Sequence, residues 1–68
     1  MQKVELVKSK LALNFPDAKI RSLGRTIRFN VDVLKDGPLV ALGVLSISDA
    51  CEINVKRSGT GLVVIVEV

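Results

Sequence analysis

Arg21 and Arg28 carry the most pointed chemistry in this chain. Leu23-Gly24-Arg25-Thr26 reads as a hairpin with a two-residue loop, because glycine at the first central position suits a type II′ turn. That turn sets a register in which Leu23 faces Thr26, Ser22 faces Ile27 and Arg21 faces Arg28. Two guanidinium groups opposite one another on an exposed face repel. An anion relieves that repulsion, and a phosphate backbone or an acidic protein surface can supply one. Lys19 lies two residues from Arg21, and Arg25 sits at the hairpin tip. Lys19, Arg21, Arg25 and Arg28 are therefore the expected anion- or nucleic-acid-binding residues. The competing expectation is that both arginines splay into solvent or pair with Asp17, Asp32 or Glu5. There is no tyrosine or tryptophan, and the two phenylalanines, Phe15 and Phe29, are expected in the core. A nucleic-acid contact without stacking aromatics is electrostatic and weakly specific.

Other chemistries have little to build on. The chain has no histidine and one cysteine, Cys51. It can form no internal disulfide and no standard zinc site. Cys51 is expected on the inner face of a sheet, where a thiol acts as a small apolar residue. Glu52 is expected opposite Glu67 on neighbouring strands. Paired carboxylates can do acid–base chemistry or hold a cation, but Lys56 or solvent is the simpler partner for them. Ser58-Gly59-Thr60-Gly61 is glycine-rich but lies between strands and lacks a phosphate-loop lysine. No catalytic, cofactor-binding or metal-binding residue is expected.

The elements that must position these residues follow from periodicity. Val4, Val7, Leu11 and Phe15 form one stripe of a 3.6-residue period, which predicts a helix over 3–14, stopped by Pro16. Ile27, Phe29, Val31 and Val33 alternate with Arg28, Asn30 and Asp32, the pattern of a half-buried strand. Strands are expected at about 18–23, 26–34, 39–47, 50–57 and 62–68. Turn signals stand at Gly24-Arg25, Lys35-Asp36-Gly37-Pro38, Ser48-Asp49 and Ser58 to Gly61. At Ser48 the alternative is a helical turn through Ala50 and Cys51. The predicted fold is α+β, one N-terminal helix packed on a five-stranded antiparallel meander. Its inner face carries Ile20, Phe29, Val31, Val33, Leu42, Val44, Ile53, Val55, Val64 and Val66.

Two regions of this arrangement are unfinished. The segments 39–47 and 62–68 are apolar on both faces, the pattern of strands buried on both sides. As the last strand of a meander, Leu62 to Val68 would also be an edge almost without protecting charge. Leu6 and Leu13 lie on the helix side away from its apolar stripe. Leu6, Leu13, Leu39, Leu45, Ile47, Val63 and Ile65 are thus expected at a protein interface. A single domain of 68 residues, 49% of them hydrophobic, buries only about 60% of its unfolded surface and gains from self-association.

Leu11 to Ala18, Leu-Ala-Leu-Asn-Phe-Pro-Asp-Ala, resembles the helix-to-strand junction of small DNA-damage-inducible proteins that modulate recombinase filaments. Those proteins end in a second helix, where this chain is read as ending in strands, and no residue role is transferred. Ten basic and seven acidic residues give a net charge of +3, mildly favourable to polyanions. No apolar leader and no run long enough to span a bilayer are evident, so a cytoplasmic location without membrane contact is expected. The functional expectation is a small non-enzymatic interaction protein that binds a protein partner, itself a homodimer. By analogy it is an inhibitor or accessory factor of the phage or mobile-element kind. The alternative is a nucleic-acid-binding protein using the basic strip of the first hairpin.

Overall fold

A computed structural model describes residues 3–49 and 51–68. Its elements run α1 (Lys3–Asn14), β1 (Arg21–Leu23), β2 (Thr26–Val31), α2 (Asp36–Ser48), β3 (Glu52–Ser58) and β4 (Gly61–Glu67). The class is α+β, as read from the sequence. The five-stranded meander with a single helix is replaced by a four-stranded antiparallel sheet and two helices.

The replaced element is the expected strand over 39–47. It is helix α2, starting at Asp36. Asp36-Gly37-Pro38 opens a helix instead of closing a hairpin. Pro38 falls in the first turn, where a missing N–H costs nothing because helix-start donors have no intrahelical acceptor. The next N–H, from Leu39, already donates to the Lys35 carbonyl at 2.9 Å. Asp36 places a carboxylate at the positive end of the helix dipole. The helix ends at Ser48, and the Asp49 N–H donates to the Leu45 carbonyl at 3.0 Å. A thirteen-residue element is long for a strand and ordinary for a helix. The turn considered through Ala50 falls partly on residue 50, outside the described residues.

The sheet order is β1-β2-β4-β3. Both hairpins adopt the register expected of their turns. Arg21 pairs with Arg28 and Leu23 with Thr26, and Gly24 takes the positive φ of 61° that a tight primed turn requires. Glu52 pairs with Glu67 and Arg57 with Leu62. The second loop closes one pair further than expected, at Ser58 and Gly61, over Gly59 with φ 60°. β1 is shorter than 18–23, and β2 stops at Val31 rather than residue 34.

β4 does not form an edge. It lies between β2 and β3, with Phe29 opposite Val64 and Val55 on its other side. Its two-sided apolar sequence is that of a central strand. The unprotected edge inferred for Leu62 to Val68 therefore does not exist, and β1 and β3 are the edges.

Both helices cover one face of the sheet. Val7, Leu11 and Phe15 from α1 and its end meet Ile27, Phe29, Val64 and Val66, while Leu42 and Leu45 come from α2. The Phe15 and Phe29 rings pack at 4.8 Å, tilted by 49°. Cys51 is buried in this core and its Sγ–H points at the Asp49 carbonyl at 3.6 Å. Burial pushes its thiol pKa up, with a smaller push from Asp49. Of the expected inner-face residues, Val33, Val44 and Val55 are exposed. Val33 lies beyond the end of β2, Val44 points away from the core on α2, and Val55 stands on the edge strand β3.

Candidate interaction surfaces

The first surface belongs to α2. Leu42 and Leu45 point into the core. At about 100° per residue, Leu39, Val40, Gly43, Val44 and Ile47 fall on the opposite side. They are open to solvent, Ile47 by 84%, Val40 by 64%, Val44 by 59% and Leu39 by 50%. The helix is therefore apolar all round, which is the composition of a buried helix. Asp36 is its only charged residue. Leu13 of α1, 82% exposed, adjoins this arc. It shares with Val44 a groove of about 360 Å³ between the helices, floored by Leu11, Phe15, Leu42 and Leu45. One ion pair ties the two helices, Lys10 Nζ to Asp49 Oδ2 at 2.9 Å. The Lys10 hydrogen bond, helped by the Lys10 charge, holds the Asp49 pKa below its ordinary value against an opposing desolvation.

The structure divides the seven expected interface residues into three groups. Leu13, Leu39 and Ile47 lie on the helical surface, and Leu6 is partly exposed on α1. Leu45 is 6% exposed and belongs to the core, so it is not an interface residue of the folded chain. Ile65 and Val63 stand on the opposite face of the sheet, and Val63 is only 5% exposed. The expectation that Leu39, Leu45 and Ile47 share an outer sheet face with Val63 and Ile65 rested on 39–47 being a strand of the same sheet, with Leu6 and Leu13 on the helix as the other candidate surface. As a helix, that segment shares no face with Val63 and Ile65. Sequence reasoning missed Val40 and Val44, because a strand reading turned both toward the core.

The second surface is the sheet face without helices. Alternation along each strand puts Arg21, Arg28, Ile65 and Asn54 in one row across the four strands. The next row holds Asn30, Val63 and Lys56. Glu67 and Glu52 face each other in the row on the other side. Among the described residues the only ion pair is that of Lys10 with Asp49, so of the competing outcomes for Arg21 and Arg28 the pairing with an acid does not form, and both are exposed to solvent. Lys19, Arg21, Arg28 and Asn30 line one open cleft of about 570 Å³ with Asp17 at its margin. Arg25 is not brought to it. Its carbonyl accepts the Val68 N–H at 2.9 Å, and it lines a separate cleft with Lys3, Val4 and Gly24.

Among the described residues no three His, Cys, Asp or Glu side chains gather as a metal site requires. Nor is any helix among them long and apolar enough to cross a membrane. No family model matches the chain, and no curated protein or solved structure does.

Proposed function

We propose that this chain is a small non-enzymatic interaction protein whose first protein partner is a second copy of itself, paired through the solvent side of α2. The observation that carries this reading is the exposure of Val40, Val44 and Ile47 on a helix with no polar face. Leu13, Leu39, Val40, Val44 and Ile47 together leave roughly 500 Å² of apolar surface open, as much as the largest patch of a typical monomer and of the order of the ~800 Å² each partner of a stable dimer buries. The one charge at its groove, Lys10, is already paired with Asp49, so placing the patch against its own copy across a two-fold axis adds no unpaired like-charge contact. Val40, Val44 and Ile47 are spaced four and three residues apart, the spacing of a helix seam. An antiparallel pair centred on Gly43 and Val44 sets Val40 of one copy against Ile47 of the other and keeps the sheet face outside.

Light scattering coupled to size exclusion tests the pairing. The wild type is expected at twice the 7.3 kDa chain mass, at low and high salt alike. Val44→Glu with Ile47→Glu is expected at the single-chain mass with an unchanged far-UV circular dichroism spectrum. A wild type that stays at single-chain mass at high protein concentration sinks the reading.

A further inference from the structure

The bare sheet face carries an arrangement of charge that the pairing through α2 does not use. Arg21 and Arg28 stand directly opposite one another on β1 and β2, and neither meets an acid. Such a pair destabilises the hairpin by itself. A phosphate between the two forks turns that repulsion into charge-assisted hydrogen bonds, and the planar guanidinium matches phosphate better than an ammonium does. Lys19 and Asn30 share their cleft. Because β4 inserts between β2 and β3, Lys56 enters the same face from the far edge, with Val63 between it and Asn30.

From β1 to β3 is three strand spacings, about 14 Å. That is too far for one phosphate and suits a ligand with repeated anionic groups. The cations occupy two adjacent rows, Arg21 and Arg28 in one and Lys56 in the next, a strip only about 7 Å wide along the strands. Glu52 and Glu67 bound it on one side and Asp17 on the other. It therefore matches one phosphate chain and not the two of a duplex. Asn30 and Asn54 add neutral donors and acceptors of the kind that contact base edges. An acidic protein surface would not need them.

We propose that the open face of the sheet binds the phosphodiester backbone of single-stranded nucleic acid, with Arg21 and Arg28 sharing a phosphate and Lys56 contacting another. Lys19 extends the strip along β1. With no aromatic side chain on this face, binding is sequence-tolerant and rests on phosphate contacts.

Fluorescence anisotropy with short labelled single strands of mixed sequence, between 50 and 200 mM salt, tests this. The wild type is expected to bind, and log K to fall linearly with log salt, by about 0.7 for each phosphate contact. Arg21→Ala with Arg28→Ala is expected to weaken binding by about tenfold or more and, because the pair shares one phosphate, to flatten the slope by about one contact, as Lys56→Ala also should. Lys3→Ala with Lys8→Ala, equal in charge but on α1 across the sheet, should leave the affinity within about twofold. Arg21→Lys with Arg28→Lys keeps the charge and loses the forks, and an intermediate loss is expected. It also serves if the alanine pair does not fold. Absence of single-strand binding at 50 mM salt overturns the proposal. So does an equal loss in the Lys3 and Lys8 pair, tighter binding of the matching duplex, or equal competition by polyglutamate. The solution mass of the Arg21 and Arg28 variants should equal that of the wild type, so failure here is distinct from failure of the pairing through α2.

Discussion

On the acid side, Asp49 is the described residue whose shifted pKa links pH to this fold. Its carboxylate accepts a hydrogen bond from Lys10 at 2.9 Å and from the Ser48 hydroxyl at 3.3 Å. The Lys10 contact is the larger cause of its lowered pKa. A carboxyl whose folded pKa is depressed adds stability above its unfolded value, and that stability is lost as pH falls through the folded value. The window lies below about pH 4. Asp49→Asn is expected to flatten the fall of the thermal midpoint between about pH 4 and pH 2 while changing little near neutrality. Equal acid sensitivity in variant and wild type would remove Asp49 from the account. At the same scale the basic cluster was readable from residue types. Arg21, Arg28 and Lys19 meet because a two-residue turn sets their register. Arg25 parts from them because the hairpin tip turns toward Val68. Lys56 joins them through pairing between segments far apart in the chain.

At the scale of elements, α2 holds the unresolved balance of this molecule. One side of it closes the core and the other has nothing on it. Leu42, 4% exposed, is a core knob, and Leu42→Ala is expected to cost about 2–4 kcal/mol in urea unfolding at any protein concentration. Val40→Ala is expected to change stability by less than about 0.5 kcal/mol at concentrations too low for pairing. At high concentration its cost should grow, because a contact made only in the dimer is linked to dimer formation by mass action. A Val40→Ala effect independent of concentration would place that side chain outside any interface. The same two-sidedness made α2 illegible. Leu-Val-Ala-Leu-Gly-Val-Leu-Ser-Ile has no polar gap with which to mark a period of 3.6, and Asp-Gly before it is a strong hairpin signal. By contrast α1 shows a clear apolar stripe with a proline after it, and it forms over the expected 3–14.

For the whole molecule, the decisive feature is the insertion of β4 beside β2. It brings the start of β4 against the end of β2 so closely that a Cβ on Gly61 would lie 2.8 Å from the Val31 carbonyl oxygen. Gly61→Ala is expected to destabilise the fold by about 1–3 kcal/mol, because backbone on both sides must shift. An alanine there without effect would contradict the strand order, since the loop of an edge hairpin has room for a methyl group. Composition and local pattern alone determined the α+β class, α1, both hairpins with their registers, the core phenylalanines and the Arg21–Arg28 pair. Each of these depends on contacts a few residues apart, where turn geometry and periodicity act directly. Tertiary structure alone decided that 36–48 is a helix and that β4 lies at the centre of the sheet. It also decided that Lys56 shares a row of the sheet with Asn30. The reason is physical: an apolar segment is driven to bury its surface but carries no instruction about which neighbour will cover it, and only competition among all the segments for the one core settles that choice.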